Sequence, residues 1–251
     1  MFTEWMEALE ARHLSDLRVQ EVTRALRALS ARYVTRGGRD VQRSLDSRGK
    51  RAAFALYYAP LHFLATDLIV RALGAHAPAP RSILDIGCGT GAAGAAWALA
   101  AGGSPEITGI DRHPWAVDEA KWTYRTLHLH GRARQGDAAR LPVQREGSAI
   151  VAAYVLNELP EAARASLETA LADAAGRGVR VLVIEPISRS ISPWWDAAAS
   201  RLASVGGRAD EWRFPVDLPP LLRLLDKAAG LDHRELTARS IYCATPRILK
   251  S

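Results

Sequence analysis

The chain has 251 residues, of which 48% are hydrophobic and 24% charged. That composition excludes disorder and fibrous folds, and the length suits one large domain, or a domain with an appendage, but not two catalytic domains. The formal net charge of +6 favours anionic partners and says nothing of the fold. Most of it sits early: residues Arg12 to Arg51 hold eleven Lys/Arg against four acids. The two cysteines, Cys88 and Cys243, form no CxxC pair, so neither a metal site nor an iron–sulfur cluster is expected. With no basic leader at Met1–Glu10, the expectation is a reduced, cytoplasmic protein. The apolar run Ala52–Val70 is interrupted by Pro60, His62, Thr66 and Asp67, which argues for a buried helix pair and against a membrane span.

In chain order, residues 1–76 read as a helical prelude. Trp5, Leu9, His13 and Leu14 fall on one helical face, and Val22, Leu26, Leu29 and Tyr33 continue the period. The Gly pair in Thr35–Arg39 predicts a turn. A helix follows over roughly Arg51–Leu73, and Pro78 and Pro80 close the prelude. From Arg81 strand-like and helix-like runs alternate. Strands are predicted over Ser82–Ile86, Glu106–Ile110, Arg132–Gln135, Ala149–Val155 and Val179–Glu185. Helices are predicted over Gly91–Ala101, Pro114–Leu127 and Pro160–Ala175. This alternation implies a parallel sheet covered on both faces. Two further helices, Ser192–Val205 and Leu218–Ala229, precede two adjacent strands at His233–Thr237 and Ser240–Thr245. The resulting division is a helical cap, 1–76, and an α/β domain, 77–251.

The most informative segment is Ile83-Leu84-Asp85-Ile86-Gly87-Cys88-Gly89-Thr90-Gly91, a strand running into G-x-G-x-G and then a helix. Glycines here remove side chains where a ligand meets backbone and allow positive φ. Asp111 ends the next strand, twenty residues after Gly91, where a carboxylate accepts the hydroxyls of a ribose or, alternatively, caps the helix at Pro114. The glycine spacing is not the dinucleotide G-x-G-x-x-G, and no Gly-Lys-Ser/Thr of a phosphate loop follows. Asp85, inside the strand end, suits an ammonium-bearing ligand. Cys88 reads as a small residue tolerated between the glycines.

This segment resembles motif I of class I S-adenosylmethionine-dependent methyltransferases, and the similarity runs over about Arg81–Glu185. It implies a Rossmann-like seven-stranded sheet ordered 3-2-1-4-5-7-6, with the terminal strands as its antiparallel hairpin. It implies S-adenosylmethionine as cofactor, S-adenosylhomocysteine as product, and a cofactor set of Asp85, Gly87, Cys88, Gly89, Gly91, Asp111, Arg112, Asp137, Ala138 and Tyr154. Gln135-Gly136-Asp137-Ala138 resembles the adenine-binding turn, and Ala153-Tyr154-Val155-Leu156-Asn157-Glu158-Leu159 the motif beside the transferred methyl.

Methyl transfer needs orientation, a dry site and, for some acceptors, a base. The catalytic candidates are Tyr154, Asn157, Glu158 and Glu185. Glu158 is a candidate base or a first-turn helix acid. Asn157 orients an amino group or caps a helix. Glu185 is a candidate base or a loop carboxylate. Tyr57, Tyr58 and His62 line a substrate pocket or pack in the core. Trp194, Trp195 and Trp212, placed in an insertion before the last hairpin, form a substrate wall or a satellite core.

The segments Tyr57-Tyr58-Ala59-Pro60 and Tyr154–Pro160 are loosely similar to bacterial relatives of a mitochondrial ribosome-assembly methyltransferase-like family. That family carries a cysteine cluster absent here, so iron–sulfur binding is not carried over. The expected activity is methyl transfer to an N or O acceptor. RNA, ribosomal RNA included, is placed first, a small molecule second, and a non-catalytic assembly partner third. The basic prelude is the docking surface in the first reading and a lid in the second.

Overall fold

The computed structural model describes residues 1–36 and 45–244. The Gly pair of the expected turn at 35–39, together with Arg39 and Arg43, lies outside the described residues.

The prelude forms α1 (Phe2–His13), α2 (Val19–Arg36) and a long helix with an internal wide turn. That helix starts as α3 (Arg48–Ala53), where Ser47 accepts a hydrogen bond from the Lys50 N–H at 3.3 Å as its N-cap. It passes through a π turn (Phe54–Tyr58), in which the Ala59 N–H reaches five residues back to the Phe54 carbonyl. It continues as α4 (Ala59–Ala72). The expected helix pair is therefore one helix, because Pro60 falls in the first turn of α4, where its missing N–H costs little. This helix, Arg48–Ala72, is long and apolar enough to cross a membrane, yet 61% of its apolar window is buried inside the protein. Its apolar side chains are core.

The sheet contains β1 (Ser82–Ile86), β2 (Glu106–Asp111), β3 (Gly131–Gln135), β4 (Ala149–Ala153), β5 (Arg180–Glu185), β6 (Gly207–Pro215) and β7 (Glu235–Cys243). Its order is β3-β2-β1-β4-β5-β7-β6, the order implied by the resemblance. The first five strands pair in parallel, and β7 runs antiparallel between β5 and β6. The helices between are α5 (Ala92–Ala100), α6 (Pro114–Thr126), α7 (Glu161–Gly176), α8 (Trp195–Ala203) and α9 (Pro220–Ala228).

Successive strand side chains point to opposite faces, and the two cores follow that alternation. Ile83, Ile107, Val151, Leu182 and Ile184 face a core shared with the prelude, α5, α6 and α9. Leu84, Ile86, Ile150, Val181 and Val183 face α7 and α8. Trp5, Leu26, Leu56 and Ile69 of the prelude belong to the same hydrophobic cluster as the first set. Glu119 on α6, almost wholly buried, ties α1 to the sheet layer by taking three hydrogen bonds from Arg12, the shortest at 2.8 Å, with His13 at 3.3 Å.

The terminal hairpin differs from expectation. β6 carries Trp212 and was read as insertion; β7 is one strand where two were expected. Every residue of β6 is at least partly exposed, as befits an edge strand, so its sequence GRADEWRFP shows little apolar alternation. Arg239 broke the apparent pattern of β7, but it is buried, stacks over Trp195 at 4.4 Å and donates to the Ser192 carbonyl at 3.2 Å.

Candidate functional site

The carboxyl ends of β1, β2 and β4 meet at the point where the strand order reverses, which is where open α/β sheets place ligands. Gly87 leaves β1 at φ +61°, and a Cβ there would lie 2.3 Å from Val155 Cγ2, so the turn requires glycine. Gly91, at φ +83°, is the N-cap of α5, packed over Tyr124. Asp85 is buried beneath this loop and accepts the Gly94 N–H at 2.8 Å. Burial pushes its carboxyl up to about 7, against the pull of that N–H and with a further push from Asp111.

Asp111 is also buried. Its Oδ2 accepts the Gly89 N–H at 2.9 Å and its Oδ1 the His113 N–H at 2.8 Å. Burial holds its pKa above the usual carboxylate range. The cap of α6 is instead His113, whose Nδ1 accepts the Trp115 N–H at 3.2 Å. Beyond Asp111, Arg112 bonds Asp137 at 2.5 Å and holds that carboxyl below its ordinary range.

These residues border a cleft of about 580 Å³, walled among others by Gly87, Asp111, Arg112, Ala138, Val155 and Glu158. A neck of about 40 Å³ continues it inward between Phe54, His62, Asp85, Cys88, Thr90 and Tyr154. A second cavity of about 260 Å³ adjoins the neck and shares His62, Tyr154 and Glu158 with it. Tyr154 adopts φ +59°, which ends β4 two residues before the expected Val155. Left-handed backbone at a non-glycine costs on the order of 1–3 kcal/mol and clusters at functional sites. The Tyr154 ring stacks on His62 at 3.9 Å, and the two rings form the partition between neck and second cavity.

Residues 83–176 match the family model described as "Methyltransferase domain". No curated protein matches the chain by sequence. Among solved structures, a candidate O-methyltransferase from Nostoc punctiforme PCC 73102 is 18% identical, with 88% of this chain and 69% of that one covered and a TM-score of 0.51. Magnesium protoporphyrin IX methyltransferase from Synechocystis PCC 6803 is 15% identical over 91% of this chain and 97% of that one, at TM-score 0.47. A candidate RNA methyltransferase from Pyrococcus horikoshii is 12% identical over 73% and 83%, at 0.48. The chain carries a class I S-adenosylmethionine-dependent methyltransferase domain.

The methyltransferase cleft has the donor set its cofactor needs. Asp85 faces the neck, where its carboxyl group would meet an ammonium, and Asp111 borders both neck and cleft, where it would accept ribose hydroxyls. The Thr90 hydroxyl, buried in the neck wall, has no hydrogen-bond partner among the described residues. Gly87, Cys88 and Gly89 line the neck directly, and Arg112 and Ala138 line the cleft. Gly91 shapes the loop from beneath, and Asp137 braces Arg112. The Cys88 thiol is pushed well up by burial, then by Asp85 and Asp111, which leaves no thiolate nucleophile.

The catalytic and substrate candidates separate. Glu158 lines the cleft, the neck and the second cavity. Tyr57, Tyr58, His62, Tyr154 and Asn157 line the second cavity. Glu185 lines none of these spaces. It is wholly buried behind the wall, where Oε1 accepts the Leu156 N–H at 2.8 Å and Oε2 the Asn157 Nδ2–H. Burial pushes Glu185 up to about 8. It therefore positions the Leu156–Asn157 turn and does not reach substrate as the sequence suggested.

The tryptophans also depart from expectation. Trp195 packs in the α7–α8 core under Arg239, Trp194 lies near Arg164 at 5.2 Å, and Trp212 on β6 donates to Ser240 Oγ at 2.8 Å while stacking on Phe214. None of the three borders these cavities, because α8 covers the opposite face of the sheet and β6 is its far edge.

Sequence reasoning missed Asp226 and His233. Asp226 Oδ1 accepts the Tyr57 hydroxyl at 2.5 Å and the His233 Nδ1–H at 2.6 Å, and Oδ2 accepts the His233 backbone N–H at 2.7 Å. Burial pushes Asp226 up, but these hydrogen bonds outweigh it and hold its carboxyl below the ordinary range. His233 and Tyr57 lie on the cavity wall. Asp226 sits on an amphipathic helix with nothing local to mark it as buried.

Proposed function

We propose that this methyltransferase acts on a small molecule held in the second cavity, and not on RNA. The observation that carries the reading is the lining of that cavity. It is formed by Tyr57, Tyr58, Leu61, His62, Tyr154 and Leu236 with a few polar groups, and contains no Lys or Arg among the described residues. An RNA strand brings one phosphate per nucleotide, and its recognition rests on cations. Concave, largely apolar walls with a few placed polar groups are the pattern of small-molecule sites.

The basic prelude supports the same choice. Arg12 bonds Glu119, Arg48 bonds Asp16, and Lys50 bonds Asp46. Arg27 donates to the Ala228 carbonyl at 2.6 Å and Arg51 to that of Leu45 at 2.9 Å. Arg12 thus ties α1 to α6 and Arg27 ties α2 to α9, while Arg48, Lys50 and Arg51 fasten the start of α3 to neighbouring loops. The setting proposed is reducing and cytoplasmic, with Cys88 and Cys243 both free and buried.

When bound, S-adenosylmethionine supplies a sulfonium carbon open to in-line displacement. The chain's own part is to hold the cofactor on Asp85 and Asp111, to keep the acceptor beside Tyr154 and Glu158, and to exclude water. His62 aids the last of these, since loss of hydration drives its pKa down to about 3 and keeps the ring neutral.

The test is transfer of label from methyl-tritiated S-adenosylmethionine into a cell extract, separated into RNA and low-mass fractions. Label in the low-mass fraction, dependent on protein and weakened by Tyr58→Ala, supports the proposal. Label in nuclease-sensitive material overturns it in favour of RNA.

A further inference from the structure

We propose that the atom methylated is a nitrogen bearing hydrogen, an amine of the acceptor, and that Asn157 selects it. The inference rests on the small-molecule reading above and deepens it.

Asn157 is 7% exposed and lies on the wall of the second cavity. Its amide orientation is fixed from behind. The Nδ2 group donates to Glu185 Oε2, and Glu185 is itself pinned by the Leu156 N–H on its other oxygen. With the NH2 end placed on Glu185 Oε2, the carbonyl end points away from that group. Asn157 Oδ1 is buried and has no hydrogen-bond partner among the described residues. A buried, unsatisfied acceptor is costly, and a donor arriving with the substrate removes that cost.

The donor is an N–H for a chemical reason. An amide oxygen accepts a hydrogen bond but is far too weak a base to take the proton. A hydroxyl bonded to it would stay protonated and remain a poor nucleophile. An amine gives one N–H to Asn157 Oδ1 and keeps its lone pair for attack. That lone pair forms the new N–C bond as the C–S bond breaks, and the bond's electron pair goes to sulfur, leaving a thioether. The nitrogen, now carrying an extra positive charge, loses one proton to water. Atoms and electrons balance with no further reagent.

Electrostatics point the same way. Glu158 is on the cavity wall, the ionised Asp226 lies close behind it, and no Lys or Arg borders the space among the described residues. Such a cavity disfavours anions and tolerates the cationic product.

The experiment compares matched probes on protein loaded with S-adenosylhomocysteine: phenethylamine against 2-phenylethanol, and tryptamine against tryptophol, by calorimetric titration. Wild type should bind each amine about tenfold more tightly than its alcohol, and Asn157→Leu should abolish that preference. Glu185→Gln, which frees the Asn157 amide to flip, should weaken the preference severalfold with the same S-adenosylhomocysteine affinity. Equal binding of amine and alcohol, no binding of either amine, or a preference that survives Asn157→Leu overturns the proposal. None of these touches the methyltransferase reading, which fails instead if S-adenosylhomocysteine itself does not bind to folded protein.

Discussion

Asp85→Asn should make the protein without cofactor more stable at pH 8 while weakening its grip on the cofactor. Asp85 is 1% exposed, and burial raises its carboxyl from 3.8 to about 7. Between those values the unfolded chain releases the Asp85 proton and the folded chain keeps it. Folding therefore weakens as pH rises from about 4 to 7, then levels off, having lost up to about 4 kcal/mol from this one group. Asparagine keeps the oxygen that accepts the Gly94 N–H but has no proton to lose, so its stability profile should be flatter by that amount. The assay is urea denaturation of both proteins at pH 5 and pH 8. With S-adenosylhomocysteine the order reverses. An ammonium beside Asp85 favours the carboxylate, so wild-type affinity should rise from pH 6 to 8, and the variant should bind roughly 10- to 100-fold more weakly at pH 8, the size of a charge-assisted hydrogen bond. A variant with the wild-type slope between pH 5 and 8, or with unchanged cofactor affinity at pH 8, refutes the reasoning.

Gly87→Ala combines positive φ with a Cβ 2.3 Å from Val155 Cγ2 and should abolish measurable S-adenosylhomocysteine binding; adding Val155→Ala should restore part of it, and no restoration would remove the steric explanation. Tyr57→Phe deletes the hydroxyl on Asp226 and should cost about 1 kcal/mol in urea denaturation with S-adenosylhomocysteine affinity unchanged within twofold; a tenfold loss of affinity would contradict the separation of the two cavities. Glu119→Ala leaves the half-exposed Arg12 and His13 without their partner, costing roughly 1–2 kcal/mol, and should speed tryptic cleavage within the first 18 residues; an unchanged cleavage rate would mean that apolar packing alone seats α1.

The sequence was most legible where one residue type had one physical use. Gly87 and Asp111 border the cleft, and Asp85 and Gly89 line the neck that continues it inward. Five parallel strands were plain because a strand buried on both faces, such as β5, is apolar throughout apart from its ends. The hairpin was not, since an edge strand with exposed charges has no such signature, and Arg239 disguised a buried strand as two. The acceptor side was harder still. Asp226 and His233 lie seven residues apart, but Tyr57 comes from the prelude, 169 residues earlier than Asp226, and only packing brings them together. Tryptophan left two readings open for a related reason: its size suits a substrate wall and a core equally, and the face of the sheet decides between them.

The π turn at Phe54–Tyr58 has a consequence for how such a pocket could change. A wide turn holds one residue more than an α turn, and each residue advances a helix by about 100°. Phe54 on one side of it faces the neck, and His62 on the other faces the partition with Tyr154. Because the wide turn takes up its extra residue locally, loss of a single codon there, Ala55 for instance, would close it into an ordinary α turn and leave the faces of α3 and α4 where they are. A codon lost within α3 or α4 proper would instead turn one part of the helix against the other by about 100° and exchange wall for core. The π turn is then a place where a lineage of this enzyme could gain or lose a residue and keep its pocket.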